Sequence, residues 1–254
     1  MKTGLYNDFA RKIIEKDSKY RKIVKYIHIN LSKLIPENVI SEIESIAEVG
    51  GACGHVLNYY KIFFEKRGNN IKKVVNFEIS REFIDYGKRL YKFIEFYEGD
   101  FMNNWNKKGK FDLIILSDII EHIEEDDVFL EKVSKISKYV FVYIPCEDNL
   151  LNTILEFIKK REKIGMNHPS GHLRKYNIAK CEKLLSKHFY ILNSKIFIHP
   201  IYLTKTPWGI KIKRSMLGII LVIFMKILNK LLPKKIYVRL FGGNYMAFLK
   251  SKNW

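Results

Sequence analysis

A chain of 254 residues that is 47% hydrophobic and 14% aromatic, with only 14 Gly and 6 Pro, can bury a sizeable core and is neither disordered nor fibrous. Lys plus Arg (45) exceed Asp plus Glu (27), and the net charge of +18 invites a polyanionic partner: nucleic acid, an anionic membrane surface or a phosphorylated substrate. Lys, Ile, Asn, Tyr and Phe are abundant together, as a biased genome composition produces, so the distribution of charge says more than its total. Positions 201–254 hold eleven Lys and Arg and no acid, whereas positions 111–131 hold eight acids and no Lys or Arg.

In chain order, apolar positions at helical spacing (Phe9, Ile13, Ile14, then Ile23, Val24, Ile27) predict one or two amphipathic helices before Pro36. SIAEVG then reads as a buried strand followed by a helix over 55–67. VVNFEI is a second strand with a helix over 81–91, and FIEFYEG a third. FDLIILS is a fourth, preceding a helix over 126–137, and YVFVYIP a fifth. Strands without polar alternation, separated by helices, specify a doubly wound, mostly parallel α/β sheet. Beyond them come a helix over 150–160, the turn-rich GMNHPSGH, a helix over 178–187 and the strand YILNSKIFI. An apolar insertion follows, and then the last strand, NYMAFLK. The reading divides the chain into a helical cap (1–40), an α/β core (41–200), and a segment (201–254) that combines the insertion with the core's last strand. Cys53, Cys146 and Cys181 show no CxxC spacing, and charges interrupt the first sixteen residues, so a reducing, cytoplasmic setting without a signal peptide is expected.

In such a sheet, ligands bind beyond the carboxyl ends of the strands. The first of these loops, Glu48-Val49-Gly50-Gly51-Ala52-Cys53-Gly54, runs straight into a helix. Its spacing fits neither G-x-G-x-x-G nor a phosphate loop, and an acid two residues before the first glycine repels pyrophosphate while welcoming an ammonium. The second strand ends in Glu78, whose paired oxygens suit ribose hydroxyls. The third leads to Asp100 and Phe101, an acceptor beside a ring that can stack on a base. The fourth ends in Ser117, Asp118, Glu121 and His122. Any one of these carboxylates alone would more often be a helix-capping acid; four at successive strand ends are far less a matter of chance.

From position 46 to 197, about three-fifths of the chain, the sequence resembles the class I S-adenosylmethionine-dependent methyltransferases. EVGGACG matches the family's glycine motif, Glu78 its ribose acid, Asp100 in EGDF its adenine-side acid and FDLIILSDIIEHIEE its fourth-strand motif. The resemblance implies a seven-stranded sheet and S-adenosylmethionine as cofactor. Glu48 would lie near the methionine amino group, Gly50, Gly51, Ala52 and Gly54 along the nucleoside path, and Glu78 on the ribose. Asp100 and Phe101 would frame adenine, with Ser117 and Asp118 completing the site. Ala52 stands where the family has its middle glycine. EHI at 121–123 and GHLRKY at 171–176 resemble the small-molecule branch typified by ubiquinone-biosynthesis and sugar methyltransferases. The asparagine-proline-proline-aromatic signature of amino-group nucleic-acid methylation is absent after strand four, which argues against DNA bases.

For a hydroxyl acceptor, His172 with Arg174 is the preferred pair, an imidazole to take the proton and a guanidinium to orient an anionic substrate, with His122 beside them. The competing reading makes GHLRKY a hinge in which Arg174 bonds backbone carbonyls. His55 and His168 are the other histidines on loops near the cleft. Glu121, His122, His168 and His172 carry metal-ligand atoms, but no metal is assigned, because the adjacent Glu121 and His122 are expected to point apart. The insertion near 216–232 is too short and interrupted to cross a bilayer. Flanked by Lys211, Lys213, Arg214, Lys234, Lys235 and Arg239, it suits an interfacial helix on anionic lipid or, equally in kind, a lid or homodimer contact. The expectation is methyl transfer to oxygen of a small, glycan or lipid-linked acceptor near a membrane. The alternatives are an RNA methyltransferase using the basic segment as a phosphate track, and a non-catalytic cofactor-binding protein at the membrane.

Overall fold

The computed structural model of the chain describes residues 10–158, 171–198 and 216–254. A helical stretch over 10–15 leads into α1 (Asp17–Ser32) and the single turn α2 (Glu37–Ile40). The core then alternates β1 (Ser45–Val49), α3 (His55–Glu65), β2 (Lys73–Glu78), α4 (Arg81–Leu90), β3 (Glu95–Glu98), the turn α5 (Phe101–Asn104), β4 (Phe111–Ser117), a 3-10 turn (Ile120–His122), α6 (Asp126–Ile136) and β5 (Ser137–Cys146). After α7 (Leu150–Ile158) come α8 (Ile178–His188), β6 (Phe189–Phe197), α9 (Met216–Leu231), α10 (Lys234–Phe241) and β7 (Gly243–Ser251).

The seven strands form one sheet in the order β3-β2-β1-β4-β5-β7-β6. β1 to β5 pair in parallel, and β7 runs antiparallel to both β5 and β6. The apolar strands sit where they are covered on both faces: Ile46, Ala47, Leu113 to Leu116 and Val140 to Val142 are fully buried. One face packs against α1, α2 and α3 through Leu31, Leu57, Tyr60 and Phe64. The other packs against α6, α8 and α10 through Phe129, Leu130, Cys181, Leu185 and Tyr237. The edge strand β6 has only half its residues covered, with Tyr190 and Leu192 exposed.

The expected doubly wound sheet is present with all seven strands. The short helices α2 and α5, the 3-10 turn and α10 were not foreseen. α10 lay hidden in what read as the end of the insertion, where Pro233 closes α9 and opens a second helix in the N-cap position. The turn-rich stretch up to position 170, including His168, and the basic residues Lys211, Lys213 and Arg214 lie outside the described residues.

Candidate active site

Strand order reverses between β1 and β4, so the loops leaving their carboxyl ends part to opposite faces and open a crevice. Gly50 lies where they meet. Its φ is +70°, and a Cβ there would stand 2.8 Å from Ile119 Cδ1 of the β4 loop. The Gly50 amide donates to Phe77 O (2.8 Å) and the Gly51 amide to Asn76 Oδ1 (3.2 Å), while Asn76 Nδ2 donates back to Ala52 O (3.0 Å). The buried Asn76 thus staples the loop to β2. At Gly51 an added Cβ would lie 2.5 Å from both Glu48 Oε2 and Asn76 Oδ1, so the backbone passes directly over the Glu48 carboxylate. Ala52 packs beside Ala10, Cys53 and Phe83 without crowding, but its φ of +45° is left-handed. The departure from glycine therefore carries backbone strain, about 1 to 2 kcal/mol for an L residue.

Three acids face this crevice. Glu48 is 2% exposed, its Oε2 has no hydrogen-bond partner, and burial followed by the Glu78 charge holds its pKa well above the carboxylate range. Glu78 accepts from the Ala52 amide on Oε2 and from the Ile79 and Ser80 amides on Oε1, each at 2.8 Å. Burial raises its pKa, and those three amides counteract the shift. The Asp118 side chain is exposed at the mouth of the crevice, and the neighbouring protein desolvates it enough to take its pKa up to about 7, with His172 opposing and Glu147 adding to the shift. Ser117 is half-buried at the end of β4, and the Asp118 amide donates to Tyr143 O (3.0 Å). Tyr20 of α1 lies over the same acids: burial and then the charges of Glu48, Asp118 and Glu78 raise its phenol. A cationic, hydroxyl-bearing ligand fits this lining, since Glu48 has an unused oxygen and Glu78 an unused lone pair.

Of the two residues expected beside adenine, one caps a helical turn and the other lies in the core. Asp100 is exposed as the N-cap of α5, accepting from the Met102 amide (2.9 Å). Phe101 is 4% exposed and packs edge-on to Phe77 (5.2 Å) and Phe129 (5.4 Å), so its ring belongs to the core and does not line the crevice. His55 is likewise structural. Its two nitrogens meet Tyr91 Oη (2.7 Å) and Asp17 Oδ1 (2.6 Å), fastening α1 to the start of α3.

On the β4–β5 side the segment 171–176 folds back over the strand ends, with the Leu173 amide donating to Glu121 O and the Asp148 amide to Tyr176 O, both 2.9 Å. This brings His172 against His122, ring centroids 4.9 Å apart and edge to face. His172 Nδ1 donates to Glu147 Oε2 (2.6 Å) and His122 Nδ1 to Gly171 O (3.1 Å). Glu121 is 1% exposed, neither oxygen has a partner, and burial plus the Asp118 charge raise its pKa well above normal. The 3-10 turn overturns the expectation that Glu121 and His122 diverge: they and His172 each bring a ligand atom within 4.8 Å of the other two. Arg174 is corrected as well. Its guanidinium is bound to Asp126 and to the Glu124 carbonyl, and Tyr176 Oη donates to Asp126 Oδ2 (2.5 Å), so it clamps the strap to α6.

Asn76, Glu147 and Tyr20 escaped the sequence reading. Asn76 is a lone amide inside the apolar VVNFEI, and Glu147 follows the fifth strand as the other acids follow the first four. Tyr20 had no local signal.

Residues 47–139 match the family model of the methyltransferase domain. No curated protein matches the chain by sequence. Among solved structures it is similar to an S-adenosylmethionine-dependent methyltransferase from Archaeoglobus fulgidus (TM-score 0.55, 16% identity, 91% of this chain and 94% of that one). It is also similar to a candidate sarcosine dimethylglycine methyltransferase from Galdieria sulphuraria (0.57, 9%, 91% and 86%). A third is the N-terminal domain of EvdMO1 with S-adenosylhomocysteine bound (0.50, 10%, 85% and 77%). At these identities the structures speak for the fold, and the matched domain speaks for the cofactor. With that domain match over residues 47–139 on a sheet of this order, the chain is similar in domain and fold to the class I S-adenosylmethionine-dependent methyltransferases.

Proposed function

We propose that the protein methylates an oxygen of a small or lipid-linked acceptor at an anionic membrane surface. The observation that carries the reaction is the His172–Glu147 pair, set beside Asp118 at the rim of the acidic crevice. When bound, the cofactor supplies a methyl group on a sulfonium. Glu48 and Asp118 would hold its cationic end, Glu78 its ribose, and the backbone of Gly50, Gly51, Ala52 and Gly54 its path. Because His172 gives its Nδ1–H to Glu147, its lone pair is on Nε2, where it takes the proton of the acceptor hydroxyl. Glu147 stabilises the imidazolium so formed. The expected result for H172Q is at least a tenfold fall in turnover with cofactor affinity intact, since general-base catalysis contributes about 10² to 10⁴. Unchanged turnover and an unmoved pH profile would refute the assignment.

A second reading is favoured by Glu121, whose orphaned carboxylate converges with both imidazoles. In each histidine Nδ1 is tied to an acceptor, the arrangement that orients a metal-ligating ring through Nε2. A divalent transition ion held there would acidify the acceptor hydroxyl in place of the free base. Loss of activity on chelation, restored by Mn²⁺ or Zn²⁺, together with one equivalent of metal retained on dialysis by wild type and not by E121Q, decides for it.

The membrane part rests on α9. Met225, Leu228 and Leu232 pack inward, while Ile223, Phe224, Ile227 and Leu231 stay exposed, Leu231 at 72%. The side chains of Leu217, Ile220 and Leu221, earlier on the same helix, are not among those described. Among the described residues no helix is long and apolar enough to cross a membrane. An apolar face flanked by Lys226, Lys230, Lys234, Lys235 and Arg239, on a segment with no acid from 201 to 254, is complementary to an anionic bilayer interface.

A further inference from the structure

We propose that Asn152 is a positioning residue for the acceptor base: through the Glu147 carbonyl, its buried side-chain amide fixes the carboxylate that orients His172. The inference rests on the reading of His172 as that base.

The turn between β5 and α7 is arranged around one oxygen. Glu147 O accepts from the Asn149 amide (3.0 Å), from Asn149 Nδ2 (3.1 Å) and from Asn152 Nδ2 (2.9 Å). A peptide oxygen has two lone pairs, so three N–H groups more than satisfy it. Both asparagines are inside the protein, Asn149 at 4% and Asn152 at 1% exposure. Asn149 has an ordinary task. Its Oδ1 accepts from the Asn152 amide (3.0 Å) and its carbonyl from the Thr153 amide (3.1 Å), which makes it the N-cap of α7. The side chain of Asn152 is not needed for that cap. It stands in the first turn of α7, where alanine or leucine is the better helix former and a buried amide is costly without partners. Its Nδ2 reaches back past the cap to Glu147, five residues earlier. Without that donor the oxygen would still have two others, so its burial does not call for the third. The third bond adds constraint.

The same peptide unit is held at its other pole. The Asp148 amide donates to Tyr176 O (2.9 Å), and Asp148 Oδ2 accepts from Asn177 Nδ2 and Lys180 Nζ, both at 2.8 Å. The oxygen of the 147–148 peptide is thus anchored by α7 and its N–H by the strap that carries His172. The Glu147–His172 bond of 2.6 Å closes the ring between them. With the backbone fixed at both poles, Glu147 can move only through its side-chain torsions, and 14% side-chain exposure against 12% for His172 leaves those little room. A base has to meet the acceptor proton in a narrow geometry, and Asn152 supplies that from outside the site.

The test is proton NMR of the full chain with nitrogen-labelled histidine, which needs no acceptor. A short, charge-assisted Nδ1–H bond moves its proton far downfield and slows its exchange with water. Wild type is expected to show such a resonance, removed by H172Q and by E147A. The His55–Asp17 bond, also 2.6 Å, gives a second resonance that serves as the reference in every variant. N152L takes away the amide and favours the helix, so it should melt within a few degrees of wild type. Its His172 proton should move upfield and exchange faster while the reference stays in place. N152A, which removes the same bond with a smaller side chain, should give the same shift. If both variants leave the His172 resonance and its exchange unchanged, Asn152 has no positioning role and the base assignment still stands. If H172Q removes no downfield resonance, the His172–Glu147 pair and the base reading fall together.

Discussion

Asp118 makes cofactor affinity depend on pH in a way that one substitution isolates. In the free protein its pKa stands at about 7, because the crevice desolvates it, a rise that His172 opposes and Glu147 more weakly reinforces. Glu121 and Tyr20 are the other ionisable groups that feel its charge. The folded value is above the ~3.9 of an unfolded aspartate, so this group's contribution to stability is complete at low pH and is lost as pH rises through about 7. A cationic ligand reverses the preference, because binding beside it requires the carboxylate. If binding restores an ordinary value, the penalty factor is about 11 at pH 6 and about 1.1 at pH 8, a tenfold gain in affinity across that range. The side chain remains within reach of solvent, which trims the gain to about three- to tenfold. Asp118 has φ +50°, a conformation asparagine also tolerates, so Asp118→Asn changes charge without disturbing the loop. Calorimetry of S-adenosylmethionine binding between pH 6 and 8, in buffers of different ionisation enthalpy, should show proton release by wild type. In Asp118→Asn that release should diminish and the affinity gain flatten. An identical pH slope in the two proteins would refute the placement of the cation beside Asp118.

Glu78→Gln should weaken cofactor binding by about 1.5 to 3 kcal/mol, the scale of a hydrogen bond to a charged group, because an amide cannot accept from the Ala52, Ile79 and Ser80 amides and still receive a ribose hydroxyl. Equal calorimetric affinity would remove Glu78 from the ribose. Arg174→Ala should lower the unfolding free energy by about 1 to 3 kcal/mol in denaturant melts while the acceptor KM stays unchanged, since its partners are Asp126 and a backbone carbonyl. A raised KM with intact stability would return the guanidinium to the substrate. Phe224→Glu with Ile227→Glu should abolish flotation on anionic vesicles and leave the melting temperature within a few degrees, because both side chains are about half exposed. If the pair instead only dissociates a dimer in sedimentation, the face is a protein contact.

What was legible in the chain followed from burial. Ile46, Ile114 and Val142 lie under helices on both faces, so their strands lose polar alternation and spell out a parallel sheet in the residue pattern itself. The acids Glu48, Glu78 and Asp118 were legible for the opposite reason, since a carboxylate ending an apolar run has few purposes besides a ligand or a cap. That same ambiguity stands at Asp100, which caps the short α5 by accepting from its Met102 amide. Phe101 was misread because one aromatic suits a stacking platform or a core equally, and only the neighbours Phe77 and Phe129 decide between them. Arg174 depended on Asp126, 48 positions earlier in the chain, and Tyr20 on acids brought together from three strands. Contacts of that length leave no periodicity to read. The convergence of Glu121 with His122 was lost to a local detail, because adjacent residues diverge on an α-helix or a strand and a 3-10 turn at 120–122 is what draws them together with His172. In the proposed site the donor side lies at strand ends, where order in sequence maps onto order in space. The proposed acceptor side lies on a strap that returns from 50 residues away, and there the sequence names the residues while only the fold shows what they meet.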